Sequence, residues 1–257
     1  MKFEVNGYDM IAKTSTFPGG EEYVSIKQEI PAVLDRVKIT PNIRSSREIV
    51  QLMLLVEILR KAAHKGTSFI LDLQYLPYAR QDQVFEAHDS LSIKVFAKLI
   101  NDMGFDQVLV SDCHSAVGLA LLDNVVHISQ RKLILESNLI TNFVSSMDVI
   151  IAPDAGAAKK AANIANTFNK PVIQCLKQRL PGGTISLEVL GDIVGLKALV
   201  LDDICDGGGT FLALGAALGN KQPRELHLLV THGIFSKGRG VLFPTYDTVS
   251  AIYDWTN

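Results

Sequence analysis

Three aspartates and three consecutive glycines lie close together in LVLDDICDGGGTFLALGAALGN, residues 199–220. Asp202 and Asp203 come directly after the apolar run ALVL, and Asp206 precedes the glycines. Two adjacent carboxylates are costly to bury, because each must keep its charge without water or take up a proton. We therefore expect this pair to face solvent, a cation or the hydroxyl groups of a ligand.

The glycines suit a loop whose backbone closes around an anion. Glycine adopts positive φ angles readily, and successive N–H groups can then converge on one anion. Thr210 is predicted to open a helix, where its hydroxyl would cap the helix or contact a phosphate oxygen. Carboxylates can bind the hydroxyl groups of a sugar, and backbone amides next to them can bind its phosphate. The segment therefore indicates a ribose-phosphate site formed by Asp202, Asp203, Asp206, Gly207, Gly208, Gly209 and Thr210.

A plain structural reading of this segment is an acidic turn with a glycine hinge. The glycines follow an apolar strand pattern and precede a helix pattern, which favours the binding site over the hinge.

The elements that would position the loop alternate between strands and helices. Short apolar runs without polar alternation are typical of strands buried in a parallel sheet. They occupy residues 68–73, 107–112, 148–154, 198–203 and 225–233. Helical patterns lie between them at 92–104, 154–168 and 210–219. The alternation predicts an α/β fold of doubly wound parallel sheets, in which ligands bind beyond the carboxyl ends of the strands.

The chain is predicted to form two related halves, residues 1–140 and 141–257. The segment SNLITNFVSSMD (137–148) separates two similar patterns in which an apolar strand runs into acidic residues. A chain of 257 residues that is 47% hydrophobic is long enough to bury the cores of two small α/β domains.

Composition argues against several classes of function. The formal net charge of −2 gives no general attraction to nucleic acid or to a membrane surface. The apolar-rich segment EIVQLMLLVEILRKAAH (48–64) contains Gln51, Glu57 and Arg60, so it predicts a buried helix and not a membrane span. The N-terminus lacks the pattern of a secretory signal, and the three cysteines lack a CxxC spacing, so we expect a cytoplasmic protein without a zinc site.

The segment LVLDDICDGGGT resembles the PRPP-binding loop of type I phosphoribosyltransferase folds, and other segments narrow the resemblance to ribose-phosphate pyrophosphokinases (PRPP synthetases). LPYARQDQ (76–83) resembles the ATP-binding segment of that family and is the most specific match, because plain phosphoribosyltransferases do not carry PYARQD. The remaining matches follow the family's order over nearly the whole chain: TFPGGEEYVSI (16–26), SDCHS (111–115), APDAGAAKKA (152–161), LKQRL (176–180) and THGIFSKG (231–238).

The resemblance implies two phosphoribosyltransferase-like domains with an active site between them. The implied reaction is the Mg²⁺-dependent transfer of the β,γ-diphosphoryl group of ATP to the anomeric hydroxyl of a ribose 5-phosphate group, which releases AMP. The residues it implies are Arg80, Gln81 and Asp82 for ATP; Phe17 and Glu21 for adenine from a neighbouring subunit; His114 and Asp154 for magnesium; Lys177 and Arg179 for catalysis; Asp202 and Asp203 for the ribose hydroxyls; and Asp206 to Thr210 for the 5-phosphate. The segment 16–26 matches a hairpin that contacts adenine across a subunit boundary in this family. The resemblance therefore implies a homo-oligomer built on dimers, and hexamers are usual in the family.

The chain departs from the family pattern at several positions. Gly207 stands where the family has Thr, Gly19 where it has Asp, and Gln83 where it often has Arg. The missing hydroxyl at position 207, together with a shorter segment after THGIFSKG, would open space beyond the 5-phosphate. In these features the chain resembles compact bacteriophage members of the family that act in NAD resynthesis, for which the acceptor is ADP-ribose. Ribose 5-phosphate and ADP-ribose both remain candidate acceptors.

Two other functions compete with the diphosphokinase. A phosphoribosyltransferase would share DDICDGGGT, but PYARQD and LKQRL argue against it. A non-catalytic regulatory homologue would not need His114 and Lys177. Taken singly, His114 could be a structural histidine, and Lys177 and Arg179 could be solvated charges of little energetic importance.

Overall fold

The computed structural model describes residues 1–179 and 185–256, without the side chains of 177–179 and 185–186. The chain divides into two compact units, Met1–Ile128 and Ser129–Asn257. This division lies N-terminal to the boundary expected after residue 140. The difference arises because Ile134, Val144 and Met147 are buried in the core of the second unit, so the segment around residue 140 is part of that unit.

The first unit is built on one mixed sheet. Its strands are β1 (Lys2–Val5), β2 (Tyr8–Thr16), β3 (Glu22–Ile26), β4 (Arg36–Thr40), β5 (Ser68–Leu73), β6 (Gln107–Ser111) and β7 (Val125–Ile128), and its helices are α1 (Ser46–Ala62), α2 (Ser92–Asp102) and α3 (Ala116–Leu121). The strand order is β3-β2-β1-β4-β5-β6-β7. Strands β4 to β7 are parallel, as the apolar runs at 68–73 and 107–112 predicted. Strands β2 and β3 form the hairpin that the resemblance implied at 16–26, whereas the antiparallel pairing of β1 with β2 and β4 was not predicted.

Helix α1 forms from the apolar-rich segment 48–64. Ser45 caps its first turn, and the Glu48 carboxylate accepts a hydrogen bond from the Ser45 backbone N–H, which completes a capping box. Leu52, Leu55 and Leu59 on this helix are fully buried in the core of the first unit. Among the described residues, no helix is long and apolar enough to cross a membrane.

The second unit is built on a separate sheet. Its elements are α4 (Gln130–Leu135), α5 (Asn138–Ser145), β8 (Val149–Ala152), α6 (Ala155–Phe168), β9 (Val172–Arg179), β10 (Ile185–Val189), β11 (Lys197–Cys205), α7 (Gly209–Gly219), β12 (Glu225–Gly233), a 3₁₀ turn (Arg239–Leu242) and β13 (Thr248–Asp254). The strand order is β10-β9-β8-β11-β12-β13, and every pairing is parallel except that of β9 with β10. The strands predicted at 148–154, 198–203 and 225–233 are confirmed as β8, β11 and β12.

Helices cover both faces of this second sheet. Alternate residues of β11 enter two different apolar clusters, with Val200 in one and Leu201 in the other. The first cluster includes Phe211 and Leu214 of α7, and the second includes residues of α4, α5 and α6. The doubly wound arrangement predicted from unbroken apolar strands is therefore confirmed here.

Helix α7 packs closely against Thr245 and Tyr246, which follow the 3₁₀ turn, because Gly215 lies at this contact. A Cβ atom added to Gly215 would lie 2.9 Å from Tyr246 Cε2 and 2.9 Å from Thr245 Cβ. Tyr246 is buried and donates a hydrogen bond to the Phe211 carbonyl of α7 over 2.8 Å. Gly215 therefore lets this helix, which begins at the glycine loop, lie flat against its neighbours.

We predict that Gly215→Ala destabilises the second unit by about 1–2 kcal/mol, because overpacking outweighs the gain in helix propensity. Gly219→Ala, on the same helix with nothing within 4 Å of the added atom, should be neutral or stabilising. Urea unfolding followed by circular dichroism measures both variants. A Gly215→Ala protein as stable as Gly219→Ala would contradict the close packing.

Candidate active site

The carboxylate pair lies near the carboxyl end of β11, and it is less accessible than expected. Asp203 is buried with 5% of its surface exposed, and its Oδ2 lies 3.7 Å from Lys160 Nζ. Asp202 is half-buried, and its Oδ1 accepts a hydrogen bond of 2.8 Å from the Asp203 backbone N–H. Asp203 therefore faces the ammonium group of Lys160 on α6. This lysine is a cation, one of the partners that the sequence led us to expect for the two carboxylates.

Lys160 was not identified from the sequence as a site residue. It lies within APDAGAAKKA on a helix with an ordinary polar side, where a lysine is usually a solvated charge. Its side chain is 35% exposed, so it reaches Asp203 from the edge of the sheet and keeps contact with solvent. The sequence signal for a role of Lys160 in the site was its position in the segment that follows Asp154, at the end of β8.

The environment of Asp202 favours its protonated form. Burial, followed by the charge of Asp203, raises the pKa of Asp202 from its ordinary range to about 8, and the charge of Asp154 adds to the effect. Such a carboxylate is stabilised by any donor that arrives with a ligand. Vicinal hydroxyl groups of a sugar are donors of this kind.

The glycine loop leaves the start of α7 without a side-chain cap. The helix begins at Gly209, and its N-cap is Gly208 with φ of +76° and no side-chain hydrogen bond. Of the two roles expected for the Thr210 hydroxyl, the helix cap is wrong, because Thr210 lies inside the first turn and is exposed, and contact with a phosphate oxygen stays a prediction. Backbone N–H groups at an uncapped helix start, together with the helix dipole, attract anions such as phosphate.

Gly207 borders a basic side chain. A Cβ atom at this position would lie 3.6 Å from Lys237 Cε and 3.8 Å from Ser236 Oγ, both of which are ordinary contact distances. Ser236 and Lys237 are exposed, and they follow the final residue of β12 by three and four positions. The loop that was expected to bind phosphate thus has a lysine beside it that sequence reasoning did not assign.

Asp154 caps α6 and lies just beyond β8, which pairs with β11. Its Oδ1 accepts a hydrogen bond of 3.0 Å from the Ala157 N–H, which leaves Oδ2 for a ligand. Within the described residues, no group of three or more His, Cys, Asp or Glu side chains is arranged to hold a metal ion. A single carboxylate suits Mg²⁺, which keeps several waters and is held largely by substrate phosphates.

The segment 76–83 forms a turn beyond β5 in the first unit. Tyr78 adopts a left-handed conformation with φ of +63°, and the Gln81 N–H donates to the Tyr78 carbonyl over 2.9 Å. This turn leaves Arg80 and Gln81 exposed and Asp82 half-buried. His114 is exposed in the loop that follows β6, the strand next to β5, so these four residues share one edge of the sheet.

The hairpin of β2 and β3 presents Phe17 and Glu21 at its tip. Phe17 is 52% exposed, and its ring meets Tyr23 edge-on with centroids 5.6 Å apart. The base of the hairpin is anchored to α1, because the Glu22 carboxylate accepts 2.6 Å and 3.2 Å contacts from Gln51 and Arg47. The sheet order places β1 and β4 between this hairpin and β5, so the structure does not bring Phe17 and Glu21 beside Arg80 through the sheet.

Lys177 and Arg179 lie on β9, which pairs with β8 on one side and with β10 on the other. Their side chains lie outside the described part of the chain.

Comparisons with known proteins match both units. A model of the N-terminal domain of ribose phosphate pyrophosphokinase matches residues 6–104, and a model of the phosphoribosyl transferase domain matches residues 130–256. A solved structure of phosphoribosylpyrophosphate synthetase from Mycobacterium smegmatis shares the fold, with a TM-score of 0.73 and 23% identity over 88% of this chain and 73% of that chain.

Curated relatives are named ribose-phosphate pyrophosphokinases. Ribose-phosphate pyrophosphokinase of Aquifex aeolicus is 29% identical over 238 residues, which is 91% of this chain and 76% of that protein. The chloroplastic ribose-phosphate pyrophosphokinase 2 of Arabidopsis thaliana is 29% identical over 225 residues, which is 86% of this chain and 55% of that protein. The chain thus spans little more than half the length of the chloroplastic relative.

We predict that Asp202→Asn stabilises the ligand-free protein at alkaline pH. The folded state holds the Asp202 proton more tightly than the unfolded state, so this stability is present at low pH and is lost as pH rises through about 8. Asparagine can still accept the Asp203 N–H, and it does not titrate. Thermal melting should show a gain on the order of a few kcal/mol above pH 8 that shrinks towards pH 4.

The exposed Asp123→Asn substitution is the matched control and should leave the pH dependence unchanged. A gain for Asp202→Asn that is equal at all pH values would contradict the raised pKa of Asp202.

Proposed function

Because the chain belongs to the ribose-phosphate pyrophosphokinase family, we propose that it transfers the β,γ-diphosphoryl group of ATP to the anomeric hydroxyl of a ribose 5-phosphate group. The observation that carries this proposal is the carboxylate pair Asp202–Asp203 next to the uncapped start of α7. The carboxylates suit two sugar hydroxyls, and the loop Asp206–Thr210 suits the 5-phosphate.

In the proposed reaction the anomeric oxygen attacks the β-phosphorus of ATP. The bond from this phosphorus to the oxygen shared with the α-phosphate breaks, AMP leaves, and the hydroxyl proton is released. Phosphoryl transfer depends mainly on positioning and charge neutralisation. Arg80, Gln81 and Asp82 would hold ATP, and Lys177 and Arg179 would balance charge on the moving diphosphate.

His114 in the first unit and Asp154 in the second would each serve as a ligand for magnesium ions, with phosphate oxygens and water completing the coordination. When bound, the ions would neutralise the charge of the ATP phosphates. The cap hydrogen bond from Ala157 holds the Asp154 carboxylate in place.

We also propose a homo-oligomer, and the place of the hairpin in the fold supports it. Phe17 and Glu21 project from a base anchored by Glu22, at the opposite side of the sheet from Arg80. They would therefore contact the adenine of a neighbouring subunit in an assembly built on dimers. The three cysteines are buried and form no disulfide within the described residues, which suits a reducing cytoplasmic setting.

The surroundings of Gly207 favour an acceptor that continues beyond its 5-phosphate. The glycine offers no hydroxyl to a terminal phosphate, and Lys237 lies close to it. A second phosphate joined to the first by an anhydride bond, as in ADP-ribose, would place its negative charge within reach of this lysine. We therefore propose ADP-ribose as an acceptor besides ribose 5-phosphate, with ADP-ribose 1-pyrophosphate as its product.

The decisive experiment incubates the protein with MgATP and either acceptor, and follows AMP by chromatography. We expect AMP with at least one acceptor, and the preferred one identifies the substrate. Lys177→Ala should lose turnover by on the order of 10³-fold while ATP binding persists, because it removes charge needed mainly in the transition state. Absence of AMP with both acceptors would reject the diphosphokinase.

We predict that Gly207→Thr shifts preference towards ribose 5-phosphate. The added Cβ atom fits at ordinary contact distance from Lys237, and the hydroxyl gives a terminal phosphate a new donor. Conversely, Lys237→Ala should raise the KM for ADP-ribose by about three- to tenfold and leave that for ribose 5-phosphate unchanged.

Lys221→Ala, which removes an exposed lysine just beyond the other end of α7, is the control. Equal effects of Lys237→Ala on both acceptors would refute the extended acceptor as the reason for Gly207.

A further inference from the structure

Gln130, the first residue of α4, is buried with 3% of its surface exposed. Its Nε2 donates to the Asp202 backbone carbonyl over 2.6 Å and to Thr231 Oγ1 over 3.0 Å. Thr231 is fully buried on β12, the strand next to β11. One amide group therefore uses both of its hydrogens to join α4 to the two strands beneath the carboxylates.

The carbonyl that Gln130 contacts belongs to the peptide group between the two carboxylates. The N–H of the same peptide group donates to Asp202 Oδ1 over 2.8 Å. The peptide is thus held at its oxygen by Gln130 and at its nitrogen by Asp202. Because a peptide group is planar, rotation of this one unit would redirect both the Asp202 and the Asp203 side chains.

At this peptide, β11 is in register with β12 on one side but no longer with β8 on the other. The register of β11 with β8 ends at Val200 and Ile151, before Asp202 is reached, whereas its pairing with β12 continues. On the side of α4, Gln130 provides a side-chain donor to the Asp202 carbonyl. Its side chain is also uncharged, so it adds no further negative charge beside the two carboxylates.

We propose that Gln130 is a positioning residue, which orients Asp202 and Asp203 to receive the hydroxyl groups of the acceptor sugar. The proposal rests on the proposed function of this carboxylate pair. Gln130 acts through the peptide and does not contact the reactants. Its loss should therefore weaken binding of the acceptor and leave binding of ATP, which is assigned to Arg80, Gln81 and Asp82 of the first unit, unchanged.

The test compares steady-state kinetics of Gln130→Met, which keeps the side chain's length and removes both donors, with wild type. We expect the KM for the acceptor to rise about tenfold, the size expected for loss of one buried hydrogen bond, and the KM for ATP to stay within about twofold. Thr231→Val should have a smaller effect, because the bond to the Asp202 carbonyl remains, and Thr231→Ser should restore the wild-type value.

Ile134→Ala is the matched control. Ile134 is fully buried on the same helix, and its truncation loosens α4 in the core without removing the Gln130 hydrogen bonds. Thermal melting shows whether each variant folds. The proposal is overturned if Gln130→Met leaves the acceptor KM within twofold of wild type, or if Ile134→Ala raises it equally.

Failure of the proposed function is visible separately, since wild-type protein would then release no AMP. In that case calorimetric titration measures the Kd of ribose 5-phosphate and of ADP-ribose for wild type and for Gln130→Met, and so tests the role of Gln130. A ratio of Kd values below twofold between Gln130→Met and wild type, or no binding by wild type, overturns the proposal, and a rise of about tenfold supports it.

Discussion

The repulsion between the neighbouring carboxylates of Asp202 and Asp203, near the end of a buried strand, is the constraint on which the second unit depends. Each carboxylate has a defined compensation. Lys160 lies 3.7 Å from Asp203, and the Asp203 N–H donates to Asp202. The compensation is incomplete, because burial and the charge of Asp203 still raise the pKa of Asp202. The ligand-free protein therefore holds a site that gains stability when hydroxyl donors or a cation arrive.

The loop that follows the carboxylates has the opposite electrostatic character. Gly208, the N-cap residue of α7, provides no side-chain cap, and Lys237 lies beside Gly207. Carboxylate oxygens and backbone N–H groups at a helix start are thus separated by only a few residues. Close packing at Gly215 keeps α7 in place, so the position of its first turn is set by the core.

The first unit places its expected ATP residues on one edge and its hairpin on the other. Arg80, Gln81 and His114 follow adjacent parallel strands, whereas Phe17 projects from an antiparallel extension beyond β1. The anchoring of Glu22 to Gln51 and Arg47 gives the hairpin a firm base. In the proposed homo-oligomer, the tip of this hairpin would contact a second copy of the chain.

The sequence by itself determined the parallel strands, the glycine loop, the carboxylate pair and the family, because unbroken apolar runs and short contiguous motifs carry those signals. It did not determine the antiparallel pairing of β1 with β2 and β4, the boundary at residue 128 or the place of Gly208 as the N-cap residue of α7. Lys160, Lys237 and Gln130 were found only in the tertiary structure. Gln130 lies 72 residues from Asp202 in the chain, and a glutamine at the start of a short helix has no local signal of its role. Only packing of α4 against β11 and β12 gives that amide its two buried acceptors.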